Sequence, residues 1–152
     1  MTVLFDTNVI VDILQNNEFC LHSYAAYDVC LIRGYRPCLA VSAMPDLEYL
    51  LHARKIASGA QVKRYLGTIL ELFNVMDMAE CDCVLAHESS LPDFEDAMIA
   101  FAAKRTGMDC IITRDERGFK NGPVPYMTPE AFVETYKPDD INYSEIDLGN
   151  LT

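Results

Sequence analysis

A chain of 152 residues with 51% hydrophobic side chains is long enough to bury about two-thirds of its unfolded surface in one domain, which excludes global disorder. No run approaches the ~20 apolar residues that span a bilayer, and MTVLFDTN carries none of the basic or long apolar stretches of a signal peptide, so a cytoplasmic protein is expected. The net charge of −11 excludes a passive nucleic-acid binder with a basic face; four acids and one base lie between Lys137 and Thr152, leaving −8 on the body.

Apolar segments bounded by turn signals alternate with helical patterns, the mark of an α/β fold around a parallel sheet. Val3–Phe5 reads as a short buried strand, and Val9, Ile10, Ile13 and Leu14 follow helical spacing directly after Asp6. Leu21, Ala25, Val29 and Ile32 mark a second helix, closed by Gly34. Cys38–Ser42 is the second strand, and Pro45 falls in the first turn of the next helix. A helix over 61–72, a short strand Asn74–Met76 and a helix over 79–88 follow. Asp93 and Asp96 open an alanine-rich helix that ends at Gly107. Cys110–Thr113 is a buried strand and Pro125–Met127 an edge strand, where proline is tolerated. Thr128 caps the last helix with Pro129 at its first position, so the domain spans residues 1–136. The acidic appendage 137–152 packs on the domain, on a second subunit, or not at all.

Six cysteines invite a disulfide framework, but that device suits small secreted domains without a core. Several lie inside apolar runs, where a reduced thiol behaves as a small hydrophobe. Cys81, Cys83 and His87 supply three zinc ligands without an evident fourth.

The carboxylates carry more. In an open parallel sheet, ligands bind outside the carboxyl ends of the strands. Asp6 follows the first strand, Asp46 opens the helix after the second, Asp96 lies in the first turn of its helix, and Asp115 follows Cys110–Thr113. Such crowding raises each carboxyl's pKa unless cations bind between them. A set of oxygen ligands without His or Cys suits Mg2+ or Mn2+. Each acid also has an ordinary explanation: Asp6 as a helix cap, Asp93 as an N-cap with Asp96 completing the pair, Asp115 as a turn former. Asp46 is preferred to Glu48, because Asp46 shares its stripe with Leu50 and Ala53 while Glu48 shares its own with His52 and Lys55. Asn8 could cap a helix or hold a metal-bound water.

The strings LFDTNVIVDIL, LPDFEDAMIAFAAKRTGMDCIITRDERGF and PYMTPEAF resemble, in that order and spacing, the PIN-domain family, over about residues 2–136. They look closest to a bacterial branch with a D-F-E-D-A motif and a T-R-[ND] strand end. The resemblance implies a three-layer α/β/α fold around a mainly parallel sheet of about five strands. It implies a Mg2+- or Mn2+-dependent ribonuclease, the toxin of a type II toxin–antitoxin pair, with RNA as substrate, an antitoxin protein as partner and a homodimer. Carried over residue by residue, Asp6, Asp96 and Asp115 match metal-binding acids, Asn8 and Thr113 support them, and Asp46 or Glu48 offers the remaining acid. The chain departs from the branch at Pro45, at Asp115, where Asn is frequent, and at Gly118, where Asp is frequent. Arg114, Lys104 and Arg105 are candidates to meet an RNA backbone.

Other readings differ in class. A catalytically inactive binding module would use the acidic pocket to hold a basic partner segment. A phosphatase of the haloacid-dehalogenase type needs a second Asp where Asn8 stands, and a flap-endonuclease type needs a longer chain.

Overall fold

The computed structural model describes residues 1–143. Among them, five strands pair in the order β3-β2-β1-β4-β5: β1 (Thr2–Phe5), β2 (Arg36–Ala40), β3 (Asn74–Met76), β4 (Cys110–Ile112) and β5 (Tyr126–Met127). Every pairing is parallel. Parallel neighbours require crossovers, and the helices provide them. α1 (Thr7–Gln15) and α2 (Cys20–Ile32) link β1 to β2, and α3 (Ala43–Ala53) and α4 (Ala60–Leu72) link β2 to β3. α5 (Glu80–Glu88) and α6 (Phe94–Arg105) return the chain to β4, the one-turn α7 (Glu116–Phe119) leads to β5, and α8 (Pro129–Tyr136) follows. The strand order reverses beside β1, so a crevice opens between the carboxyl ends of β1 and β4.

Side-chain alternation along the strands builds two cores. Val3, Phe5, Leu39 and Ile112 enter one with residues of α1, α2 and α8. Leu4, Cys38, Ala40 and Ile111 enter the other with Ile99, Ala102 and Ala103 of α6. Both faces of the sheet are therefore covered, giving the three layers expected from the sequence.

Local chemistry sets the element ends. Asp6 accepts the Thr7 N–H at the start of α1, and Asn16 closes that helix in the left-handed region at φ 48°. Gly34, at φ +66°, turns the chain from α2 towards β2. Thr128 accepts the Ala131 N–H, with Pro129 opening α8 as expected.

β2 lies two residues earlier than the apolar run suggested, at Arg36–Ala40 instead of Cys38–Ser42. Pro37 is tolerated there because the Arg36 N–H donates towards β1, at Met1 O, and the next residue faces β3. On that side the Asn74 side chain supplies a bond to the Pro37 carbonyl. Ser42 then begins the turn into α3.

All six cysteines are free; four are buried, and burial pushes the Cys30 thiol up to about 12 and Cys110 up to about 11. Cys81 and Cys83 are exposed on α5, and with His87 they form no metal-holding group among the described residues. No helix among the described residues is long and apolar enough to cross a membrane.

Of the expected acidic appendage, the part from residue 144 onward lies outside the described residues. Its first part docks on α2. Tyr143 is buried and donates to Asp28 Oδ2 at 2.7 Å, while Arg33 Nε donates to Tyr136 O at 2.6 Å. Tyr143→Phe removes one partly buried hydrogen bond and is expected to destabilise the chain by about 1 kcal/mol, measured by urea unfolding.

Candidate active site

At the carboxyl ends of β1 and β4 lies an open cleft of about 460 Å³. Six acids line it: Asp6, Asp46, Asp93, Glu95, Asp96 and Asp115. They arrive from four helix starts. Asp6 is the N-cap of α1, Asp46 lies in the first turn of α3, Asp93 caps α6 with Glu95 and Asp96 in its first turn, and Asp115 caps α7. Helix N-termini thus face the cleft, and their unpaired N–H groups favour acids there.

Asp6 is the most constrained of the six. Its Oδ1 accepts the Thr7 N–H at 2.7 Å, and its Oδ2 accepts Thr113 Oγ1 at 2.7 Å and Asn8 Nδ2 at 2.6 Å. Thr113, fully buried, also accepts the Asp115 N–H at 2.9 Å, while Asn8 Oδ1 accepts the Arg114 N–H. Asn8 and Thr113 therefore tie the two strand ends together through one carboxylate. Burial raises the Asp6 carboxyl above its usual range, the hydrogen bonds from Thr113 and Thr7 pull it down, and the charge of Asp115 raises it.

Asp96 is shifted as well. Burial, then the charges of Asp6, Asp93, Asp115 and Glu95, push its carboxyl up to about 7. Its side chain lies against Gly118, where an added Cβ would collide with the carboxylate. Asp96 does not complete a capping pair; Asp93 alone accepts the N–H groups of Glu95 and Asp96.

The structure brings Asp6, Asp96 and Asp115 within electrostatic reach of one another. Asp46 lines the same cleft from α3, beside Glu95. Glu48 is exposed and does not line it. Of the two, Asp46 is the one that lines the cleft, although Ala53 on its stripe is exposed.

Glu95 was missed by sequence reasoning, since a first-turn acid after an N-cap has a sufficient explanation in the helix dipole. Burial first, then Asp46, Asp93 and Asp6, raise its carboxyl. Asp12 was missed as well. It is fully buried in α1 and holds Arg114 with both oxygens, Nε to Oδ2 at 2.6 Å and Nη2 to Oδ1 at 2.8 Å. Ser23 and Asn17 donate to the same carboxylate, and the guanidinium lies 4.4 Å from the centre of the Phe19 ring. An acid inside VIVDIL was the signal, although its partner lies far along the chain. Arg114 is therefore spoken for, and so is Arg105, which pairs with Asp77 and the buried Asp82 at the other end of α6. Of the three cations proposed to meet RNA, Lys104 is exposed but does not line the cleft.

A family model described as the PIN domain matches residues 2–117. The chain belongs to the PIN-domain family. A search of curated proteins gives no match. Among solved structures, VapBC2 from Rickettsia felis bound to a DNA fragment from their promoter is similar, with a TM-score of 0.64 at 15% identity, covering 84% of this chain and 98% of that one. A toxin–antitoxin complex from Klebsiella pneumoniae gives a TM-score of 0.61 at 18% identity, over 84% and 98%. FitAB bound to a DNA fragment gives 0.62 at 22%, over 85% and 96%. At such identities these likenesses describe the fold.

PIN domains are nuclease-type and generally depend on divalent metal, so a hard cation is the group the donor set must fit. Its chemistry fits: every donor is oxygen, and burial, then neighbouring negative charge, raises the carboxyls of Asp6, Glu95 and Asp96. The side chains line the cleft without closing around a point, and among the described residues no three Asp, Glu, His or Cys form a metal-holding group. Two departures from the PIN branch also acquire a local account. Gly118 makes room for the Asp96 carboxylate, and Asp115 caps α7 by accepting the Gly118 N–H at 3.2 Å.

Gly118→Ala should displace the Asp96 carboxylate with little loss of fold, since the φ of Gly118 is not positive. Calorimetry with Mn2+ is expected to show affinity weakened about 10- to 100-fold beside a small change in melting temperature. The raised Asp96 pKa sets a pH dependence. Between 3.8 and about 7 the folded chain retains a proton that the unfolded chain has released, so this contribution is full below that window and is lost as pH rises through about 7. Metal-free protein should melt progressively lower across that range, and Mn2+ should raise the melting temperature most at its upper end.

Proposed function

We propose that this PIN domain is a Mg2+- or Mn2+-dependent ribonuclease that hydrolyses RNA phosphodiester bonds, the toxin of a toxin–antitoxin pair acting in the cytoplasm. The observation that carries this reading is the convergence of Asp6, Asp46, Asp96 and Asp115 on one cleft at the point where strand order reverses. When bound, a divalent cation there would supply charge neutralisation for a phosphate and lower the pKa of a water.

The chain's own residues do the rest. Asp6, Asp46, Asp96 and Asp115 are the proposed ligands, with Glu95 beside Asp46. Asn8 and Thr113 keep Asp6 in one orientation and join it to the Asp115 loop. In the metal-free chain burial, then neighbouring charge, pushes the Asp96 carboxyl up to about 7. The Asp12–Arg114 pair anchors the segment after β4 to α1.

A second reading has support from the same cleft: six acids suit a guanidinium as well as a metal ion. An arginine-bearing segment of an antitoxin would then occupy the site. The similar structure from Klebsiella pneumoniae is itself a toxin–antitoxin complex, which favours such a partner for the active toxin too. Catalysis separates the readings.

Asp6→Asn keeps an effective N-cap, and Asp96→Asn relieves repulsion, so both variants should fold. Each is expected to lose Mn2+-dependent cleavage of RNA by at least about 100-fold, read on a labelled transcript. Full activity in both variants, or wild-type activity undiminished by EDTA, would overturn the proposal.

A further inference from the structure

Two arginines line the cleft, and their charges are in different states. Arg114 is matched by the carboxylate of Asp12. Arg54, at the C-cap of α3, donates from Nη1 to Gln15 Oε1 at 3.0 Å, a neutral partner. Among the described residues no ion pair includes Arg54. Its charge is the uncompensated positive one on a wall otherwise lined by six acids.

Tyr49, earlier on the same helix, lines the cleft while remaining 71% exposed. Among the described residues its ring stacks on nothing and its hydroxyl has no hydrogen-bond partner. It follows Asp46 by three positions and therefore shares a helix face with that acid. Packing within the chain does not account for a large ring held in water at the mouth of a charged cleft.

A nucleic-acid strand offers two features in alternation, a phosphate and the flat face of a base. A phosphate approaching six carboxylates is repelled unless fixed positive charge meets the strand nearby. A base face can stack on a tyrosine only where it is unpaired, since a duplex hides it. We propose that Tyr49 and Arg54 form the strand-holding edge of the cleft, Arg54 taking a backbone phosphate and Tyr49 stacking on an unpaired base beside it. This inference rests on the nuclease reading and adds to it the residues that hold the strand.

The test uses Tyr49→Ala, Tyr49→Phe and Arg54→Ala in the full chain, assayed with Mn2+ on a short unstructured oligoribonucleotide and on the same strand annealed to its complement. Arg54→Ala and Tyr49→Ala should each raise KM for the unpaired strand about tenfold, with kcat and calorimetric Mn2+ affinity at wild-type values. Arg54→Ala should also flatten the dependence of log binding constant on log salt by about 0.7, one phosphate contact on a single strand. Tyr49→Phe should behave as wild type, because the ring and not the hydroxyl makes the stack. The wild-type chain should prefer the unpaired strand, and Tyr49→Ala should erase most of that preference. Unchanged KM in both alanine variants, or a loss confined to kcat or Mn2+ affinity, would overturn the strand-holding edge while leaving the nuclease reading intact. A wild-type chain that takes up Mn2+ yet neither binds nor cuts either RNA would overturn the nuclease reading itself, and this inference with it.

Discussion

Asp6 sits where two demands meet. Its carboxylate must end the central strand and cap α1, and it must also stand in a partly dehydrated cleft beside Asp96 and Asp115. Three hydrogen bonds make this tolerable: one comes from its own helix, one from Asn8 and one from Thr113 at the end of β4. The Thr113 and Asn8 bonds tie the loop carrying Asp115 to the end of β1, beside the backbone bond from the Asp6 N–H to Ile112 O. The stabilising bonds and the destabilising charges therefore act on the same atoms, and the site exists as a balance between them.

Elsewhere the molecule uses charge more conventionally. Asp82 is fully buried and held below the usual carboxylate range, chiefly by the Arg105 guanidinium, which it binds while also accepting the Ala79 N–H. The pair fastens α5 to α6. Asp12 and Arg114 form the corresponding fastening on the other side of the sheet, between α1 and the segment after β4. In both cases the buried acid is fully matched by donors, the condition under which a buried charge is tolerated. Among the described residues no ion pair includes a cleft acid, which separates a binding surface from a brace.

Much of the fold was legible because it depends on local patterns. The caps at Asp6, Asp93 and Thr128, the stop at Gly34 and the strand at Asn74–Met76 all follow from neighbouring residues. Asp46 was separable from Glu48 by the apolar stripe it shares with Leu50. β2 was misplaced because PCLAVS reads as continuously apolar, and only the pairing with β1 and β3 decides where the ladder ends. Arg105, Arg114 and Asp12 were illegible for another reason. An acid inside VIVDIL marks Asp12 as unusual, but nothing near it names a partner 102 residues away, so a guanidinium bound to a buried acid looks the same as one free for a phosphate. Arg54 stands out only after those pairings are known.

The central position of β1 has a consequence for the order of events during synthesis. β1 needs partners on both sides, and its second partner, β4, is synthesised after β2 and β3. The bond from Thr113 to Asp6 spans 107 residues. Domains fold as units when their last essential element emerges, and long-range parallel pairing is slow. A nascent chain that ends before Thr113 lacks the bond that orients Asp6. For a protein whose proposed substrate surrounds it during translation, topology itself withholds the cleft until synthesis has passed β4.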